Sequence, residues 1–155
     1  MKKFRALLLA ATASFLFIAC ASAPTIAEME MDIADFQLPA LPAPGNSIVY
    51  IIRPSMLGFA INFEVFIDEK STEYFLGSTK GGEYIYFEMA PGTRKILSQA
   101  ENLAEYVLTA EKGSVYFLQQ SPRMGVLFAR NDLMLSVDTE GKYWVKRLKP
   151  GKMGR

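Results

Sequence analysis

From Ser47 onward the chain is a succession of short strand-like runs, most of them closed by a glycine turn, and this punctuation limits the folds open to it. In INFEVFID, Ile61, Phe63, Val65 and Ile67 alternate with Asn62, Glu64 and Asp68, the period of a strand with one face in a core and one in water. Phe66 interrupts the polar face. IVYIIR, Ile48 to Arg53, is apolar on both faces and is predicted to be a central strand. EYIYFEM, TRKILS, AEYVLTA, SVYFLQQ, DLMLSVD and KYWVKRL continue the series, with turns expected at KGG, APG, EKG and TEG. Glycine supplies positive φ in such turns and proline presets φ. Short strands spaced about 8 to 12 residues apart indicate an all-β domain. The expectation is one antiparallel β-sandwich of Ig-like or Greek-key type over residues 47–150, large enough for a single two-layer core.

The beginning of the chain has a different grammar. Lys2, Lys3 and Arg5 precede an uncharged run, Ala6 to Ala19, rich in Leu, Ala and Phe. A basic start, an apolar middle and a small-residue cleavage region make a secretory signal. Thr12, Ser14, Ser22 and Pro24 make the run poor as an uncleaved span, which needs about 20 apolar residues. Cleavage after ASA would leave Pro24 directly behind the cut, whereas cleavage before Cys20 meets no such obstacle. FIAC resembles the lipobox of bacterial lipoproteins, in which a small residue precedes a cysteine that becomes lipid-modified and N-terminal. Ala19 and Ile18 fit that pattern, with Phe17 where leucine is usual. Cys20 is the single cysteine, so no internal disulfide can form, and an unpaired thiol in an oxidising compartment needs a reason. The expectation is a signal peptide over residues 1–19 and a lipid on Cys20. By the enteric pattern, Ala21 after the cysteine implies an outer-membrane location facing the periplasm.

Loss of residues 1–19 leaves 14 of the 17 basic residues against 16 acidic ones, a net charge of −2. Nucleic-acid binding calls for clustered positive charge, so it is not expected. Residues 20–46 read as a tether. Ile26, Met29, Ile33 and Phe36 follow approximate helical spacing, but an isolated helix this short is marginal in water. Pro39, Pro42 and Pro44 then favour an extended chain.

SIVYIIRP at the domain start, VFID before a turn, GGEYIYFEMAPGTRKI running into a Pro-Gly turn, and GSVYFLQ after a glycine resemble DUF2846, a family of small bacterial lipoprotein domains of unknown function. The resemblance covers most of residues 47–148. It implies a fold and an envelope location, with no catalytic residues to carry over.

The chain contains no histidine, which removes a Ser-His-Asp triad, a histidine base and the usual zinc sites of histidine and cysteine. DEKSTE and DTEG do not match an EF-hand loop, and KGGEY is not a phosphate loop. No metal or cofactor is expected. Glu64, Glu73, Glu83 and Glu88 are the carboxylates from which a glycosidase-like pair would have to be drawn. The expected protein is a non-enzymatic envelope lipoprotein, partnered with the membrane through its lipid and with an envelope protein through its loops; the alternative is a periplasmic or surface glycan- or peptidoglycan-binding module, and a small hydrolase using carboxylates comes third.

PSMLGFA (Pro54 to Ala60) and PRMGVLFA (Pro122 to Ala129) echo each other in proline, methionine, glycine and a closing Phe-Ala. Loops normally run over the surface, so apolar ones call for an account. Either they fold back as a lid over one end of the sandwich, or Met56, Leu57, Phe59, Met124, Leu127 and Phe128 form one exposed, adaptable patch for a protein partner or the membrane surface. Tyr84 and Tyr86 fall on one strand face, where exposed rings would stack on glycans and half-buried ones would keep only the hydroxyl wet. Lys146, Arg147, Lys149, Lys152 and Arg155 give the end of the chain an unbroken basic character, suited to anionic lipid heads or simply to solvent. Residues 151–155 are expected to lie beyond the fold as a basic tail.

Overall fold

The computed structural model describes residues 23–127 and 129–154. The expected signal peptide and Cys20 lie outside them. Among the described residues, ten strands form two five-stranded sheets, with no closed barrel. The first sheet has the order β8-β7-β1-β4-β9, and contains β1 (Ser47–Arg53), β4 (Glu83–Met89), β7 (Val115–Met124), β8 (Ala129–Ser136) and the two-residue β9 (Lys149–Pro150). The second has the order β10-β3-β2-β5-β6, and contains β2 (Phe63–Ile67), β3 (Phe75–Thr79), β5 (Gly92–Gln99), β6 (Leu103–Ala110) and β10 (Lys152–Met153). The all-β sandwich is as the turn spacing indicates. Pairing is antiparallel except that β1 runs parallel to β7 and β4 parallel to β9.

Between the sheets, Val49 and Ile51 of β1 meet Val65, Ile85, Phe87, Ile96, Leu108 and Leu118. The outer face of β1 carries Ile48, Tyr50 and Ile52, and they form a second apolar cluster with Tyr84, Phe117 and Val145. A strand apolar on both faces requires a second cover, because exposing these residues would forfeit about 1.5–3 kcal/mol for each large side chain. Two segments provide it, and both differ from the sequence expectation.

The first is KYWVKRL, expected as a strand after a TEG turn. It is instead the second half of a helix, α2 (Asp138–Arg147). Gly141, Trp144, Val145 and Leu148 recur at helical spacing on the face that meets the sheet. Asp138 and Glu140 in the first turn and Lys146 and Arg147 in the last complement the helix dipole.

The second is the expected tether, whose residues 25–46 are folded onto the domain. The helix α1 (Ile26–Ile33) begins at a capping box, in which Glu28 N–H donates to Thr25 Oγ1 at 3.3 Å and Thr25 N–H donates to the Glu28 carboxylate at 2.7 Å. Phe36, Leu38 and Ala40 then pack on the outer cluster. Tyr50 holds this strap from beneath: its hydroxyl donates to Ala40 O at 2.6 Å and accepts from Ala40 N–H at 2.9 Å. An eight-residue helix is marginal alone. This one is held against α2 by Arg147, which donates to Asp32 at 2.6 Å, and by Lys146, whose Nζ lies 3.2 Å from the same carboxylate.

The two cations hold the Asp32 carboxyl down to about 2 from its usual 3.8. A carboxylate depressed on docking stabilises the docked state fully above the free value, and that contribution is lost as pH falls through the docked one. Amide protection factors over residues 26–33, taken against the intrinsic exchange rate at each pH, are therefore expected to be highest above pH 4 and to fall as pH drops from 4 to 2. Asp32→Asn should lower that protection at neutral pH, whereas unchanged protection in that variant would mean that the carboxylate does not hold α1.

Residues 151–154 of the expected basic tail are also part of the fold; Arg155 lies outside the described residues. Lys149 N–H donates to Gly82 O at 3.0 Å, Gly151 N–H to Tyr84 O at 2.7 Å, and Gly154 N–H to Leu76 O at 2.8 Å. In five residues the chain crosses from the edge of one sheet to the edge of the other. That path runs so close to β3 that a Cβ on Gly154 would stand 2.6 Å from Phe75 O, which is why the tail is glycine-rich.

Candidate functional site

The connections β1–β2, β3–β4, β5–β6 and β7–β8 all emerge at one end of the sandwich, since Arg53 pairs with Glu83, Phe63 with Thr79, Glu64 with Gln99 and Met124 with Ala129. Both apolar echo loops lie there. Their side chains point outward: Met56, Phe59, Met124 and Leu127 are 60%, 62%, 82% and 82% exposed, and Leu57 is also exposed. Val126, which the sequence reading passed over, is the most exposed at 87%. Phe128 lies outside the described residues. The backbones, in contrast, are seated: a Cβ on Gly58 would come within 3.1 Å of that of Ala129, and one on Gly81 within 3.0 Å of Phe59 Cα. The two loops thus meet at their bases while presenting apolar side chains to solvent.

Arg53, the last residue of β1, fixes the first loop from below. Its side chain is fully buried, and its guanidinium lies over the Phe63 ring at 3.6 Å. Nη1 donates to Ile61 O at 2.7 Å and to Thr79 O at 3.2 Å, and Nη2 to Leu57 O at 3.1 Å and to Gly58 O at 2.9 Å. Burial pulls this guanidinium down to about 10 from 12.5, opposed by the nearby Glu83 charge, so it stays cationic at neutral pH. The second loop is fixed by Glu101, whose carboxylate accepts from Val126 N–H at 3.0 Å and Leu127 N–H at 2.8 Å. Behind the loops a polar cluster crosses the core. Thr79 donates to Gln120, Gln120 Nε2 donates to Ser98 Oγ at 2.8 Å, and Asn131 Nδ2 donates to Ser98 O at 3.2 Å. These bonds join strands of both sheets, giving the loops a stiff base.

The other sequence-derived positions are placed differently. Tyr84 and Tyr86 do share a face, but it is the covered one: their ring centroids lie 6.2 Å and 5.4 Å from that of the fully buried Tyr50. Tyr84 is buried, Tyr86 is half-buried, and neither belongs to an exposed stacking row, because α2 and the strap at Phe36 to Ala40 close over that face. Burial pushes the Tyr50 hydroxyl up to about 12. Glu83 and Glu88 stand at opposite ends of β4; Glu83 accepts from Lys80 N–H at 2.7 Å, and Glu88 accepts from Asn46 Nδ2 at 2.7 Å. Glu64 is on β2 in the other sheet, and Glu73 lies in a short 3-10 turn, Thr72–Tyr74. Among the described residues no three His, Cys, Asp or Glu side chains gather as a metal site would require.

Fold and site together define a two-sheet β-sandwich that carries exposed apolar loops on a rigid polar base. The chain belongs to the DUF2846 family of proteins of unknown function, whose family model matches residues 43–132. It is 29% identical over 137 residues to an uncharacterized protein of Haemophilus influenzae (strain Rd), an alignment covering 87% of this chain and 77% of that one. No solved structure matches.

Proposed function

We propose that this protein is a non-enzymatic envelope lipoprotein, anchored through a lipid on Cys20 to the outer membrane and facing the periplasm, with the apolar loop end as its interaction surface. The observation that carries the interaction role is the loop end itself. Five large apolar side chains and Val126 stand in solvent on backbone that Arg53 and Glu101 hold in place. Exposed contiguous apolar surface of this kind marks contact sites. The anchor rests on the order of basic start, apolar run and FIAC, ending in the single cysteine.

The intact mass of the mature protein extracted from membranes tests the anchor. The expected chain begins at Cys20 and carries added acyl groups, and Cys20→Ser should abolish both the processing and the added mass. An unmodified chain beginning elsewhere would remove the lipoprotein reading while leaving the loop end to be tested by itself.

A further inference from the structure

We propose that the loop end dips into the interface of an anionic lipid bilayer. This builds on the reading of the loop end as the working surface, but not on acylation of Cys20.

Three observations favour a lipid surface. The first is composition: Met56, Leu57, Phe59, Met124, Val126 and Leu127 project from two touching loops of one rigid end. The second is the backbone. Loops are excluded from hydrocarbon because their polar groups go unsatisfied, yet here many are satisfied within the protein. The carbonyls of Leu57, Gly58 and Ile61 accept from Arg53, Leu57 N–H donates to Ser55 Oγ, and Ile61 N–H donates to Gly58 O. Gly81 N–H covers Phe59 O, and Glu101 takes the N–H groups of Val126 and Leu127. These internal partners lower the cost of placing the loop backbone in the bilayer interface.

The third is the placement of charge. Arg123 and Arg130 face each other one pair below the Met124–Ala129 rung, and Lys80 is exposed beside Gly81, which packs on Phe59. Cations set one step behind apolar tips match a bilayer, in which headgroup phosphates lie just outside the hydrocarbon. Of the carboxylates at the same end, Glu64 on β2 is exposed, while three others turn inward or are paired. Glu101 and Glu83 accept from backbone N–H groups, and Asp132 is bridged by Arg123.

The test uses the full chain with Cys20→Ser, which frees the molecule of its natural thiol, and one new cysteine bearing an environment-sensitive fluorophore at Leu127→Cys, Leu57→Cys or, as the distant control, Val107→Cys on β6. The probe is vesicles of phosphatidylethanolamine and phosphatidylglycerol carrying brominated acyl chains. Labels at 127 and 57 are expected to be quenched and that at 107 to stay aqueous, with binding weakened about fivefold by each of Arg130→Gln and Lys80→Gln. Leu57→Ser with Leu127→Ser, carrying no label, should lose sedimentation with the same vesicles without moving the melting temperature. Tip labels that stay aqueous on vesicle-bound protein would overturn the proposal. So would a sharp fall in melting temperature in the serine pair, or a label shift that grows with protein concentration without lipid, which would assign the surface to a second copy.

Discussion

Arg53→Met is expected to lower the stability of the domain by about 3 kcal/mol, with Arg53→Lys falling between the variant and the parent. The guanidinium serves four carbonyls, those of Leu57, Gly58, Ile61 and Thr79, from a fully buried position. Each bond from a charged donor contributes about 1.5–3 kcal/mol, and a buried carbonyl left without a donor loses about 1–3 kcal/mol. Methionine keeps apolar contact with Phe63 and removes a desolvated cation, whose folded value of about 10 against 12.5 shows that the charge itself opposes folding. That relief offsets part of the loss, so the expected net falls below the sum of four bonds. Lysine keeps the charge but not the fork that reaches two pairs of carbonyls at once. A urea titration reads the effect as a midpoint shift at unchanged slope. A Met variant within about 0.5 kcal/mol of the parent would mean that the loop is held by its apolar contacts and not by Arg53.

Gly141→Ala should destabilise the protein by about 2 kcal/mol, although the same change in a solvated helix would stabilise it by about 1 kcal/mol. Gly141 lies directly over Phe117 of β7. A Cβ there would lie 2.1 Å from Phe117 Cγ and 2.6 Å from Phe117 Cβ, and Phe117 is itself buried and stacked on Tyr50 with ring centroids 5.4 Å apart. A ring can turn away, but a Cβ moves only with its strand, so the helix must lift. Lifting it would loosen Tyr143 and Val145 from their buried positions and disturb the platform on which α1 rests. Phe117→Ala should lose about 3–5 kcal/mol by cavity formation. In the double variant the added methyl occupies part of that cavity, so the combined loss should be less than the two single losses together. Strict additivity, or a stabilised Gly141→Ala, would show that the helix does not sit on Phe117 as described.

These two residues also show why parts of the structure were legible in the sequence and others were not. Strands β1, β2, β4, β5, β6 and β7 could be read because alternation or continuous apolarity and glycine turns are local signals. Strand β3, Phe75–Thr79, was missed: FLGST is short, holds a glycine, and is defined mainly by its partners β2 and β10. The residues of α2 read as a turn and a strand because the glycine looks like a turn residue in isolation, when its role is to let the helix approach Phe117. The loop residues were identified as a group, but whether they folded back or stood exposed depended on Arg53 and Glu101, neither of which has a motif. The tyrosine face was located correctly, while its burial depended on α1 and the strap above it.

The sequence by itself determined the all-β class, the sandwich, the central place of β1 and the need for a second cover over that strand, because all of these follow from the period of apolar residues and the chemistry of turns. Only the tertiary structure decided what that cover is, how the C-terminal residues bind both sheet edges, and that the apolar loops stand outward on a buried arginine. Those outcomes depend on contacts between residues far apart in the chain, such as Tyr50 with Ala40, Arg147 with Asp32 and Gly151 with Tyr84, and side-chain periodicity carries no information about partners at that distance.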